Sequence, residues 1–465
     1  MTFRLKNFAI LLLAAVPTSC LGRATAPASL GALPPMQSAL ASPASHRISH
    51  VVVIIQENRT INNFFAGYPG ANAPTFGCGA RGAEPGAAKP EPQTGCPRGD
   101  AKIPLHEITF VGPDFKHGWK ASMIDWNQGR MDGFIHFGRA HDPYAPYARV
   151  QRSLIQPYWD IANQYVLSDA MFPTEFGGSF TSHLMLVAGN DNIEPKKAEV
   201  NFPSEPPDDC DSPGGTTSSY LTPDRIVHFQ EGPFPCFAQF NSMAEVLDNA
   251  GVSWKYYATQ LVDAGFWEPF EAISYVRKGP DWKRNISTPQ TKILTDPRLG
   301  KLAAVSWVMP SKIDSDHPRF RSDRGPSWVA SIVNAIGKSK YWDSSAIFVV
   351  WDDWGGWYDN ARPPQPDFRG LGIRVPCLII SPYAKRGYVS HRRLEFASIL
   401  KFIEETFGLP HIGSPSDGYT DTRANSPTDS FDFTQKPRRF MPIQTKYSTQ
   451  DFLSEPSSSG PVDRE

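Results

Sequence analysis

Two short polar pairs in this 465-residue chain, Glu57-Asn58 and Asp352-Asp353, have the residue types to do chemistry together. Each closely follows an unbroken apolar run, Val51 to Ile55 for the first and Ala346 to Val350 for the second. Carboxylates and an amide oxygen are hard donors of the kind that hold a divalent cation. A lone Asp more often caps a helix or bonds a turn. An adjacent pair followed by Gly355 and Gly356 favours a site, and Asp359 adds a third carboxylate downstream.

Three further residues could act on a bound group. Ser179 follows Gly177-Gly178, which suits a tight turn into a helix whose N-terminal amides favour an anion. It is either a helix cap or a nucleophile facing a phosphate, and its flanks do not match the G-x-S-x-G elbow. His117, in DFKHGWK, and His317, in SDHP, are of the type that exchanges protons near neutral pH, although an isolated histidine is more often structural.

Positioning these groups falls to buried strands. Apolar runs without alternation are expected where both faces of a parallel sheet are covered, and ligands in such sheets sit beyond the strand C-termini. Further strands are expected at Val252, at Ala303 and from Arg374 to Ser381, and helices over Tyr158–Val166, Phe240–Asn249, Trp328–Ser339 and Leu394–Phe407. Alternation of this kind predicts an α/β fold, a mainly parallel sheet between two helical layers. Residues 65–102 and 203–235, rich in Gly, Pro, Ala and Ser, are expected as a long ordered loop and an excursion over the site.

Composition narrows the function classes. The net charge is −1, from 46 basic and 47 acidic residues, so no chain-wide field recruits nucleic acid or an anionic membrane. Arg4 and Lys6 precede an apolar run from Phe8 to Val16, too short to span a bilayer, which predicts an export signal over residues 1–26 and a linker over 27–47. A lipoprotein site at Cys20 is disfavoured by Pro17. No later segment reads as a transmembrane helix. Export permits disulfides, and sequential pairing of Cys78 with Cys96 and of Cys210 with Cys236 is expected, with Cys377 an inert core thiol. Asn58-Arg59-Thr60 also matches a glycosylation sequon, a tripeptide common by chance.

In order along the chain, QENRTINNFF, DFKHGWK, MDGF, GGSFTSHLMLVAG, SDHP, VVWDDWGGWYDN, RVPCLIISPYAKRGYVSH and the closing DSFDF resemble the bacterial phosphoesterase family of phospholipases C and acid phosphatases. The resemblance implies a three-layer α/β/α sandwich like alkaline phosphatase, with a catalytic domain over 48–433 and a polar tail over 434–465. It implies that Glu57, Asn58, Asp352 and Asp353 hold one divalent metal ion, and that Ser179 is the nucleophile and touches that ion. His117 and His317 match histidines that bind phosphoryl oxygens or protonate the leaving group. Two positions depart from the family pattern, which often has Asp-His where this chain has Asp359-Asn360 and again where it has Glu395-Phe396.

The expected activity is exported, metal-dependent hydrolysis of a phosphate ester, either a soluble monoester or a phospholipid head group, through a phosphoserine. The short C-terminal remainder, without room for the extra domains of the larger haemolytic phospholipases, inclines the expectation toward a compact phosphatase. Trp354 and Trp357 would line a lipid or nucleotide pocket or pack in the core. A metal-independent serine carboxylesterase and an inactive binding protein of the same fold are the readings from other classes.

Overall fold

The computed structural model describes residues 47–79, 96, 100–138, 142–261 and 268–455. The expected signal peptide, Cys20, the linker up to residue 46, most of the stretch between Cys78 and Cys96 and the last ten residues of the tail lie outside these.

Nine strands build the central sheet, eight of them in one continuous order: β1 (His50–Gln56), β2 (Val166–Phe172), β3 (Trp254–Tyr257), β4 (Ile286–Ser287), β5 (Val305–Val308), β6 (Ser345–Trp351), β7 (Val375–Ile380) and β8 (Tyr388–Ser390). Their spatial order is β4-β3-β5-β1-β6-β7-β2-β8, and a short strand at Leu394–Glu395 also pairs with β2. Only the pairings of β7 with β6 and β2 are antiparallel, so the sheet is mainly parallel. β1 and β6 run side by side in register from His50 opposite Ser345 to Gln56 opposite Trp351. Both are almost wholly buried, which is why their sequences show no alternation.

Helices cover both faces. Successive strand side chains point to opposite sides, so Phe348 and Trp351 of β6 report different layers. Trp351 packs edge-on to Tyr158 of α1 (Gln156–Gln164), whereas Phe348 packs edge-on to Phe402. The side chain of Trp307 on β5 donates to the Leu186 carbonyl of α2 (Ser179–Ala188). On the first face α1 contacts α3 (Gly325–Gly337); on the second α2 contacts α4 (Phe396–Phe407), the helix that carries Phe402. The layered α/β/α arrangement is as expected from the sequence.

Three local expectations change. Leu394 and Glu395 are a strand and a cap rather than the start of α4: Glu395 and Ser398 form a reciprocal capping box, so the helix begins at Phe396. The 203–235 excursion is not loop throughout; Thr217–Leu221 and Val227–Pro233 pair antiparallel within a four-stranded sheet of its own. Within the polar tail, Phe452 is fully buried against Trp328 of α3, and Asn334 of α3 both donates to and accepts from the Ile443 backbone.

Both expected disulfides, Cys78–Cys96 and Cys210–Cys236, are present. Cys377 is a free thiol in the middle of β7, and burial pushes its pKa up, consistent with an inert core residue. Among the described residues no helix is long and apolar enough to cross a membrane.

Candidate active site

The adjacent parallel strands β1 and β6 release Glu57-Asn58 and Asp352-Asp353 side by side at their C-terminal ends. The Asp352 amide continues the ladder to the Gln56 carbonyl at 3.0 Å. In return the Asn58 amide donates to Asp352 Oδ1 at 2.9 Å. Asn58 occupies the left-handed region, φ 59°, which turns the chain sharply away from the sheet. The sequon match at Asn58 is not a glycan site, since Asn58 is fully buried. Gly355 folds the second loop over the first: its φ is +61°, and a Cβ there would lie 2.6 Å from the Asn58 carbonyl oxygen. Its amide donates to Asp353 Oδ1 at 2.7 Å, fixing that carboxylate.

Ser179 is the first residue of α2 and is buried. The cap position belongs to Gly178, so of the two roles open in the sequence, capping is not the one Ser179 has. Its Oγ donates to Asp353 Oδ2 at 3.3 Å. One turn further along α2, His183 Nε2 lies 3.1 Å from Glu57 Oε1 and 3.9 Å from Asp352 Oδ2. His183 was not among the expected site residues; its i, i+4 spacing from Ser179, which puts both on one helix face, is the signal that could have found it.

The oxygens of this cluster suit a cation. The Asn58 side-chain nitrogen donates to Glu57 Oε2 and to Asp352 Oδ1, each at 3.2 Å, and holds the two carboxylates together. Asp352 Oδ2 is buried and meets no hydrogen-bond donor, an arrangement that costs free energy unless positive charge fills it. Glu57, His183 and Asp352 each offer an atom within 4.8 Å of the others. The Asn58 amide oxygen accepts from His317 Nε2 at 3.3 Å and lies 2.8 Å from His117 Nε2.

The two histidines flank the cluster with ring centroids 5.8 Å apart. His117 Nδ1 donates to the Phe115 carbonyl at 2.6 Å, leaving Nε2 to face the Asn58 amide. His317 Nδ1 instead accepts from the Arg319 amide at 3.2 Å, so the neutral ring carries its proton on Nε2. Burial, then the neighbouring His117 and Arg59, hold the His317 pKa well below the usual imidazole value.

A buried guanidinium supports this arrangement from beneath. Arg59 donates twice to the Asp316 carbonyl, at 2.9 and 2.7 Å, and stacks on Phe64, Phe110 and Trp357, thereby fixing the backbone that presents His317. The Asp316 side chain turns away from the site to accept from Tyr158 at 2.7 Å and Trp351 at 2.9 Å. Burial pushes the Asp316 carboxyl up to about 7 from its ordinary 3.8. Between those values the unfolded chain has lost the proton and the folded protein keeps it, so stability falls as pH rises, and the full cost is present above about pH 7. A shift of that size corresponds to about 4 kcal/mol. Asp316→Asn is therefore expected to flatten the decline in unfolding free energy between pH 4 and 8; an unchanged slope in urea titrations would contradict this.

The third carboxylate serves the scaffold. Asp359 is fully buried and takes two bonds from Arg374, at 3.0 and 3.1 Å, with the Ala361 amide at 2.8 Å. Asn360 accepts from the same guanidinium at 2.9 Å. The other departure, Phe396, is a core residue at the start of α4, and Glu395 pairs with Arg423. Trp351, Trp354 and Trp357 are all fully buried, so they pack rather than line a pocket. An aromatic cavity of about 740 Å³ does open beside His117, lined by Trp119, Phe137, Phe202 and Phe229 with Lys116 and Lys120. Phe202 and Phe229 come from the 203–235 region and its approach, which accordingly borders the site.

The model of the Phosphoesterase family matches residues 48–410. Phospholipase C A of Mycobacterium tuberculosis is 24% identical, the alignment covering 85% of this chain and 79% of that protein. Phospholipase C B of the same organism is 25% identical over 85% of this chain and 80% of its own length. Among solved structures, a protein in the alkaline phosphatase superfamily from Vibrio parahaemolyticus aligns over 84% of this chain and 73% of that one, with a TM-score of 0.37 and 11% identity.

Proposed function

Given that the chain belongs to the Phosphoesterase family and is a hydrolase of phosphoric ester bonds, we propose that it works through Ser179 as nucleophile beside one divalent cation held by Glu57, Asn58, Asp352 and Asp353. The observation that carries this reading is the convergence of the Glu57, Asp352 and Asp353 carboxylates at the ends of β1 and β6, where the buried Asp352 Oδ2 meets no donor and the Ser179 hydroxyl bonds the same cluster through Asp353. A cation bound there would act as a Lewis acid, lowering the pKa of the Ser179 hydroxyl and neutralising charge on the phosphoryl group.

The chain's own groups do the rest. The first amides of α2 favour an anion next to Ser179. With its hydroxyl ionised, Ser179 Oγ attacks phosphorus; the Oγ–P bond forms, the ester P–O bond breaks, and the departing oxygen, hydrogen-bonded by the neutral His317 Nε2–H, takes a proton from water. The hydroxide so formed attacks the phosphorus on Ser179, and the Oγ–P bond breaks to return the ionised hydroxyl. His117, tied to the Phe115 carbonyl, orients Asn58 and borders the cavity where the ester substituent binds. Burial that keeps His317 neutral suits a group that holds its proton on Nε2 and donates a hydrogen bond to the departing oxygen rather than giving the proton up.

The aromatic cavity favours an ester with a bulky apolar substituent, as in a phospholipid, over a small monoester, and the phospholipase C relatives point the same way. Export is part of the same proposal, supported by the two disulfides and the apolar N-terminal run. The test is hydrolysis of p-nitrophenyl phosphate beside p-nitrophenylphosphorylcholine, with and without a chelator. Cleavage of the diester, lost on chelation and restored by a divalent cation, is the expected result. Turnover indifferent to chelation would refute the metal-dependent reading.

A further inference from the structure

A second cluster of cation-binding type shares no residue with the candidate active site. Glu404, in the last turn of α4, and Asp421 are buried carboxylates that face each other across His411. His411 Nδ1 lies 2.8 Å from Glu404 Oε2 and 3.2 Å from Asp421 Oδ2. Asp421 Oδ2 also accepts from the Ile412 amide at 3.2 Å. The remaining oxygens, Glu404 Oε1 and Asp421 Oδ1, are buried and meet no donor. Nearby Lys401 does not neutralise the pair directly, since its ammonium bonds the Thr422 and Ala424 carbonyls. His411 is 52% exposed, so one side of the cluster opens to water.

We propose that Glu404, His411 and Asp421 form a second divalent-cation site, of the kind that takes Zn²⁺, with water in the fourth position. One nitrogen and two carboxylate donors are the mixed set that zinc accepts, whereas calcium asks for six or more oxygens. One donor atom from each residue lies within 4.8 Å of the others. Tetrahedral zinc with bonds of about 2.0–2.1 Å has ligand separations of roughly 3.3 Å, close to the spacing about His411. The cation would supply the positive charge that the two unsatisfied oxygens lack.

The site joins the end of α4 to a loop that holds α2. Thr420, next to Asp421, donates to the Gly189 carbonyl at 2.8 Å, just past the last turn of α2. Asn190 and Asn192 donate to the Asp417 carbonyl at 3.1 and 3.0 Å. A bound ion would therefore tie the loop that supports the far end of the Ser179 helix, a structural and not a hydrolytic role.

Full-length protein stripped with a chelator and titrated with Zn²⁺ alone tests this, bound zinc being counted after desalting and thermal unfolding followed in parallel. His411→Ala, at a half-exposed position, is expected to bind one equivalent less than the wild type and to lose part of the zinc-dependent rise in unfolding temperature. His411→Gln serves as a second variant if the first folds poorly. Asp353→Asn, altered only at the candidate active site, is expected to keep the equivalent that His411→Ala loses, so failure of either site reads separately. Equal zinc content in wild type and both His411 variants overturns the proposal.

Discussion

Replacing Ser179 with alanine is expected to lower kcat/KM for phosphate-ester hydrolysis by at least about 10³-fold, the scale on which a covalent nucleophile is missed. The fold should not suffer with it. Gly178, not Ser179, holds the cap position of α2, and the hydroxyl donates to Asp353. Alanine is also the better helix former. A large loss of turnover with an unchanged thermal midpoint therefore separates a chemical role from a structural one. Substantial residual turnover would move the nucleophile elsewhere.

Asp359→Ala is expected to act in the opposite sense, destabilising the protein by about 3–5 kcal/mol while the folded fraction keeps its kcat. That is the usual penalty for removing one partner of a buried ion pair and leaving the other charged. Arg374 is 1% exposed, and Asp359 supplies its facing negative charge; the guanidinium also bonds the Asp169 and Asn72 carbonyls and the Asn62 and Asn360 amide oxygens. Burial raises the Asp359 pKa even with the guanidinium beside it, so the carboxylate depends on Arg374 as much as Arg374 on it. Urea unfolding of the variant beside the wild type measures the loss; a change below about 1 kcal/mol would mean that the carbonyls alone satisfy Arg374.

The parts of this molecule that were legible in the sequence are those whose physics is local and one-dimensional. Val51 to Ile55 and Ala346 to Val350 announce strands buried on both faces, and the polar residues ending each run lie together because the strands are parallel neighbours. Parallel pairing itself is a long-range fact; the alternation of strand and helix suggested it. What was not legible depends on contacts between distant segments. Asp359 reads like Asp352 and Asp353, and only Arg374 packed against it distinguishes a scaffold ion pair from a ligand set. Trp354 and Trp357 read as pocket or core alike, and the aromatics bordering the cavity come instead from Trp119, Phe137, Phe202 and Phe229. The strand Val227–Pro233 has no clean alternation because its middle residues are exposed at an irregular pairing. His183 was visible in principle, one helical turn from Ser179, but its neighbours Glu57 and Asp352 are not near it in sequence.

The central claim is that Ser179 carries the phosphoryl group between the two half-reactions, and rapid acid quench during turnover of p-nitrophenylphosphorylcholine tests it most directly. Peptide mass spectrometry of the quenched protein should find one added phosphorylcholine group on the peptide containing Ser179, absent from Ser179→Ala and absent without substrate. Steady turnover with no adduct on that peptide under any quench time, or an adduct that persists in Ser179→Ala, would contradict the account.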